Sequence, residues 1–244
     1  MFIFKGCLWT MEENNEVVII KKSDGKNYTV RKDRHRYFFP QEWEDFTKTI
    51  KNDKHLIFFK TLLFTGARAM EALNLKPNNF NFERGSISFI VVKHRVANKK
   101  SYSMGKKRSF FISNNYLRMI KKYIKENQIH PNDYIFLDNS KLPKDYDALS
   151  NKDKSKHYKG YKVAYGQLLK RKLVKANIKD YYNFSLHNFR KTYGNWMRIF
   201  EIRTEEICFR MGHDYQTFMQ HYGSSLLFDH HEKVLISKIF GEVR

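Results

Sequence analysis

Cysteine is nearly absent. Cys7 and Cys208 are the only two, they lack metal-ligand spacing, and they read as reduced thiols in an intracellular protein. Long apolar runs are missing as well. Leu56–Phe64 is broken by Lys60 and is too short to span a bilayer, and the apolar start Met1–Phe4 stops at Lys5 before a signal-peptide core can form. Acidic residues are scarce: 25 Asp and Glu face 46 Lys and Arg, a net charge of +21. The pI is about 9.8. Such an imbalance strains a folded chain by self-repulsion and calls for a polyanionic partner. Nucleic acid is the first candidate and an anionic membrane surface the second. Repeats and low-complexity tracts are also lacking.

What is present is enough to fold. The 244 residues are 41% hydrophobic and 16% aromatic, which suits one large or two small domains with a real core. Val17–Ile20 and Tyr28–Val30 flank Ser23-Asp24-Gly25-Lys26, the pattern of a β-hairpin. The basic run Arg31–Arg36 follows, with two readings open: a solvated linker or a strap contacting phosphates. Pro40 begins a helix with Trp43, Phe46 and Ile50 at helical spacing. Leu56–Phe64 is a second helix, stopped at Thr65-Gly66. Ala67–Leu75 is a third, with Arg68 in its first turn, ended by Pro77. Ile87–Val92 and Phe110–Ile112 pair as strands across a Lys-rich loop, Lys93–Arg108. Tyr116–Ile124 is a basic amphipathic helix. Asp138–His157 reads as a loop or insertion, and Tyr161–Ala176 as a helix with Val163, Leu168, Leu169 and Leu173 inward. Leu226–Phe240 is an amphipathic tail that docks on its own core or on a neighbouring subunit. The sum is an α+β fold, mainly α: a helical bundle with a small antiparallel sheet. Residues 1–38 form a short N-terminal extension, with the hairpin and basic linker, and residues 39–244 the main domain with its tail helix.

The chemistry concentrates between Ser185 and Tyr222. His187 and Arg190 lie three apart and share a helical face. Met211-Gly212-His213 is a helix stop followed by a histidine at a helix start, and Tyr222 comes nine residues on, between His221 and Gly223. Each has an ordinary reading when taken alone: a half-buried aromatic for Tyr222, a helix cap for His213, a surface charge for Arg190. Together they can attack and hold a phosphate without a metal. The ordered set, with Arg68 far upstream, is what raises the functional reading.

In that order the residues resemble the tyrosine recombinase family, of the phage-integrase type. Thr65-Gly66-Ala67-Arg68 with Glu71 is similar to the family's first arginine motif. Leu186-His187-Asn188-Phe189-Arg190 is similar to its His-x-x-Arg motif, Met211-Gly212-His213 to its Leu-Gly-His element, and Tyr222 falls where the family places its nucleophile. The resemblance runs from about Tyr37 to the C terminus. It implies that Tyr222 attacks a DNA phosphate, giving a 3′-phosphotyrosyl link and a free 5′-hydroxyl. Arg68 and Arg190 grip the non-bridging oxygens, as planar forks that stay charged. Forming the Tyr anion at neutral pH costs roughly 4 kcal/mol from a pKa of about 10, so nearby positive charge or a base must assist. A hairpin lysine protonates the leaving oxygen; Lys93, ending its strand, is the choice, with Lys106 and Lys107 next. His187 handles protons near Tyr222, His213 bonds the phosphate, and Glu71 orients Arg68 or its helix. The covalent link conserves bond energy, so neither a cofactor nor a metal is implied. The same likeness implies double-stranded DNA as the partner with no membrane, a homotetramer on that DNA with the tail helix coupling protomers, and a cytoplasmic, nucleoid-associated place in a prokaryotic cell.

The main departure is at the front. Residues 1–38 are too short for the helical core-binding domain that usually precedes the catalytic one. Three readings follow: a minimal recombinase, a catalytic remnant of an integrase split by integration as in some archaeal viral integrases, or a chain that binds DNA with its catalytic half alone. Outside the recombinases, the alternatives are a type IB topoisomerase-like relaxing enzyme and a non-catalytic DNA-binding remnant; His187 favours the recombinase, since the topoisomerases usually carry Lys there. An RNA-binding protein is weaker still, for want of an aromatic RNA-binding motif.

Overall fold

The computed structural model describes residues 17–21, 27–31, 36–90, 107–222 and 228–241. The chain divides into two units, Met1–Arg34 and His35–Arg244. In the first, β1 (Val17–Lys21) pairs antiparallel with β2 (Asn27–Arg31), Val17 opposite Arg31 and Lys21 opposite Asn27, which is the hairpin the sequence predicts.

The second unit is built around one helix. Asn52 caps α2 (Asp53–Thr65) by accepting from the His55 amide at 3.0 Å. Phe58, Phe59, Leu62 and Leu63 are all fully buried, so apolar side chains leave on more than one face and α2 needs partners around it. Burying each contributes about 1.5–3 kcal/mol. α1 (Pro40–Lys48) opens on Pro40 with Glu42 closing back on the Phe39 amide, and buries Trp43 and Phe46 against Phe38. α4 (Asn114–Glu126), capped by Ser113, packs on α2 through Tyr116, whose hydroxyl lies 2.8 Å from Thr61 Oγ1. α6 (Leu186–Met197) covers another side, with Phe189 stacked on Phe59 at 5.3 Å.

Beside this bundle lies a three-stranded antiparallel sheet, β3 (Phe80–Asn81), β4 (Ser86–Ile90) and β5 (Lys107–Phe111), in that order. Register sets Ile87 opposite Phe110 and Phe89 opposite Arg108, so alternation turns these four residues to the buried face. The short helix α3 (Ala69–Leu73) runs between α2 and the sheet in sequence. After the sheet come α5 (Asn151–Lys175), α7 (Thr204–Met211), α8 (Tyr215–Tyr222) and α9 (His230–Phe240). α9 packs on its own unit: Ile236 and Phe240 are buried, and the Phe240 ring sits 4.6 Å from Phe64 and 6.0 Å from Trp196. No helix among the described residues is long and apolar enough to cross a membrane.

Several expectations are corrected. Asp138–His157 is not all loop: it holds two 3₁₀ turns and then the start of α5, capped by Ser150, which accepts from Asp153 N at 3.2 Å. Val163 faces solvent, 52% exposed, while Tyr165 takes the inward place, stacked on Phe58 at 3.8 Å. Arg68 stands before α3 as its N-cap rather than in its first turn, and the helix ends at Leu73, short of Pro77. Lys107 and Arg108 belong to a strand, not to the loop. Arg36 is neither solvated nor presented to phosphate. It is buried, ion-paired to Glu42 and to Asp180 Oδ2 at 2.7 Å, with its guanidinium 4.7 Å from the Phe184 ring. Residues 32–35 lie outside the described residues.

Candidate active site

Two glycines stop two helices and bring the site together. At Gly66 the chain turns left-handed, φ +60°, ending α2. Any side chain there is strained, and a Cβ would fall 2.5 Å from Tyr193 Cδ1. Gly212, φ +64°, ends α7 in the same way. Each turn exposes carbonyls that no helix satisfies.

Arg190, fully buried on α6, takes one carbonyl from each turn. Its Nη1 donates to Gly66 O at 2.6 Å and its Nη2 to Met211 O. Its Nε donates to His213 Nε2 at 3.1 Å. With Nε2 accepting, the imidazole proton is assigned to Nδ1. Burial, then the charges of Arg190, Arg68 and His187, push His213 down to about 3, against a small opposing pull from Asp214. His213 is therefore neutral at pH 7.

Arg68 approaches from the other side. Its amide donates to Glu71 Oε2 at 2.8 Å, its Nη1 to Glu71 Oε1 at 3.1 Å, and its Nη2 reaches Gly212 O at 3.4 Å. Its side chain is 34% exposed, so it presents a cation to solvent. The two guanidinium groups thus bond to consecutive carbonyls, Met211 O and Gly212 O, although they come from different ends of the sequence.

Beneath them is a pair the sequence reading missed. Arg108 on β5 donates Nη1 to Glu71 Oε1 at 2.9 Å and Nη2 to Glu71 Oε2 at 2.8 Å, a two-point fork inside the protein. Burial opposes ionisation of Glu71 most strongly, but the Arg108 hydrogen bonds and charge, with Arg190 and Arg68 behind them, hold its carboxyl at about 2. The signal was the alternation of Lys107–Phe111, which gives a basic residue an inward position beside Phe110.

The remaining expected residues are placed less completely. His187 is the second residue of α6, exposed, with its amide on Ser185 Oγ at 3.3 Å, and its charge is felt at His213. Tyr222 is the last residue of α8, the helix that follows His213. Lys93 and Lys106 lie outside the described residues. Lys107 opens β5, exposed, next to Arg108. Among the described residues, no group of three or more His, Cys, Asp or Glu is arranged to hold a metal ion.

Two arginines and a neutral histidine thus meet at one turn. The family model of the phage integrase family matches residues 36–226, and the chain belongs to that family, the tyrosine-type recombinases. The fold agrees. The chain is similar to the crystal structure of XerA recombinase, with a TM-score of 0.55 and 15% identity over 86% of this chain and 66% of that one. It is similar to the Tn1549 transposon integrase in complex with transposon right end DNA, with a TM-score of 0.56 and 16% identity over 87% and 67% of the two chains. It is similar to XerH recombinase bound to its difH substrate, with a TM-score of 0.54 and 16% identity over 84% and 56%. The chain thus spans about two thirds or less of the length of each of these structures. No curated protein matches it in sequence.

Proposed function

We propose that this chain is a site-specific DNA recombinase or integrase that cuts and rejoins duplex DNA through a 3′-phosphotyrosyl intermediate. The observation that carries this is the convergence of Arg68, Arg190 and His213 on the Met211–Gly212 turn. The DNA complexes of the Tn1549 integrase and XerH, which share the fold, support DNA as the partner, as does the net charge of +21.

The Tyr222 hydroxyl attacks phosphorus, and the 5′-oxygen leaves with a proton from the hairpin lysine, Lys93. Three guanidinium groups against the single carboxylate of Glu71 leave the site positive, which lowers the roughly 4 kcal/mol cost of the tyrosinate. Arg68, partly exposed, meets one phosphate oxygen. Arg190 is buried on protein acceptors, so its share rests on exchanging one of them for phosphate when DNA arrives. His213, neutral and protonated on Nδ1, acts as a hydrogen-bond donor rather than a cation, and His187 moves protons near Tyr222. Losing one such donor typically costs about 3–4 kcal/mol of transition-state stabilisation. A homotetramer on DNA and a nucleoid-associated, prokaryotic setting complete the reading.

The test is covalent trapping. The full chain is mixed with nicked suicide duplexes drawn from sequences flanking its own gene. A protein–DNA adduct that disappears in Tyr222→Phe is expected. No adduct with any duplex would sink the enzyme reading and leave a DNA-binding remnant. Relaxation of supercoils without joining of two sites would assign the topoisomerase-like reading instead.

A further inference from the structure

Arg108 touches no reacting group, yet it is 3% exposed and lies against both Glu71 and the Gly212 turn. Its fork covers both oxygens of Glu71 at 2.9 and 2.8 Å. Its Cζ lies 5.1 Å from the Phe89 ring centroid, so an aromatic face supports the cation from its own sheet. A Cβ added at Gly212 would fall 2.9 Å from Arg108 Nη1, so the guanidinium lies directly under the turn that carries His213. Its Nε is buried and has no hydrogen-bond partner among the described residues. A buried cation with one unsatisfied donor is costly, and its retention needs a reason beyond packing.

We propose that Arg108 is a positioning residue for phosphoryl transfer: it occupies both oxygens of Glu71, so that Arg68 keeps a one-point side-chain bond and an outward charge, and it props the Gly212 turn that sets His213. The inference rests on the recombinase reading and deepens it.

The geometry gives the logic. Arg68 spends only Nη1 on Glu71, at 3.1 Å, and sends Nη2 to Gly212 O at 3.4 Å. Remove Arg108 and Glu71 Oε2 keeps only the Arg68 amide, at 2.8 Å, so its second lone pair is open to the Arg68 side chain. The favoured arrangement of such a pair is two parallel bonds, which would turn the Arg68 fork inward and cancel its charge. The groups facing Glu71 are Arg68 at the start of α3, Arg108 on β5 and Arg190 on α6. On its outer side a cavity of about 240 Å³ brings Lys76, Tyr134, Asp147 and Lys154. Without Arg108, burial meets less opposition and the Glu71 carboxyl rises.

The experiment uses the full chain and the same nicked duplexes, measuring single-turnover cleavage at saturating DNA and DNA affinity separately. Arg108→Met should cleave on the order of 10²-fold more slowly, as a displaced catalytic group does, with affinity nearly unchanged. Arg108→Lys, which keeps charge but not the fork, should fall between. The double variant Glu71→Gln/Arg108→Met should recover part of the rate, because the carboxylate that captures Arg68 is gone. Arg108→Met cleaving at the wild-type rate, or a double variant no faster than the single one, overturns the proposal while leaving the recombinase reading intact. Should Arg108→Met not fold, Arg108→Lys and the double variant carry the same comparison. If the wild type forms no adduct, the recombinase reading fails, and a crystal structure of Arg108→Lys or Arg108→Met decides the positioning claim. Arg68 clamped on Glu71 by two bonds supports it, and Arg68 unmoved overturns it.

Discussion

Glu71→Gln removes the one carboxylate at the centre of three guanidinium groups while keeping its shape. The wild-type carboxyl is held at about 2, from an ordinary 4.5, despite being 2% exposed. At about 1.36 kcal/mol per pH unit, that displacement corresponds to about 3 kcal/mol of stability at neutral pH. The pKa is depressed in the folded state, so this contribution is present above pH 4.5 and is lost as pH falls from 4.5 towards 2. At pH 7 the variant should be less stable by about 3 kcal/mol, a Tm lower by roughly 6–12 °C for a chain of this size. The assay is urea or thermal unfolding of both proteins from pH 7 down to pH 3. The quantity read is their difference, which cancels the other carboxylates that titrate in the same range. That difference should close as the pH drops below 4.5. Two curves that stay parallel over the window would refute the claim that Glu71 folds as a buried, paired anion.

Other outcomes follow from single contacts. Gly66→Ala should destabilise by about 2 kcal/mol or more, because φ is +60° and the new Cβ would lie 2.5 Å from Tyr193 Cδ1; the urea midpoint checks it. The His213 imidazole, pushed down to about 3, should show no protonation by NMR between pH 5 and pH 8. Because that pKa is depressed, its share of stability should fall as pH drops from 6.5 towards 3, and a His213 titration near 6.5 would contradict the buried Arg190 pairing. Arg190→Lys should lower both Tm and adduct yield, since a single ammonium replaces a fork bonded to Gly66 O, Met211 O and His213; unchanged stability would deny its structural share. Phe240→Ala should cost about 3–5 kcal/mol and make the tail accessible to protease, measured by unfolding and limited digestion.

Signals confined to a few neighbouring residues were legible. The helix beginning at Pro40, the stops at Gly66 and Gly212 and the hairpin from Val17 to Arg31 each follow from dihedral preferences that the residue itself carries. The order of motifs also led to Arg68, Arg190 and His213 as one site. What stayed hidden depends on distant partners. A basic tract normally marks solvent, so Lys93–Arg108 read as one loop, although Arg108 lies opposite Phe89 and meets Glu71 across 37 residues of sequence. Arg36 seemed free because one of its acceptors, Asp180, is 144 residues away. Val163 looked like core because helical spacing gives a face but not how far support extends along it. The 25-residue α5 starts at a Ser150–Asp153 cap, well before the expected start at Tyr161.

The two arginines of the site solve the same electrostatic problem differently. In the proposed reaction a guanidinium that meets phosphate must be held firmly, yet a carboxylate that holds it also cancels it. Arg190 is held by carbonyls at the C-terminal ends of α2 and α7, which carry only partial negative charge, and by a neutral imidazole. Arg68 does lean on a carboxylate, but Arg108 has already paired that charge. The glycine stops are therefore part of the electrostatics as well as the backbone. Without the left-handed turns at Gly66 and Gly212, the carbonyls that let Arg190 stay both fixed and charged would point elsewhere.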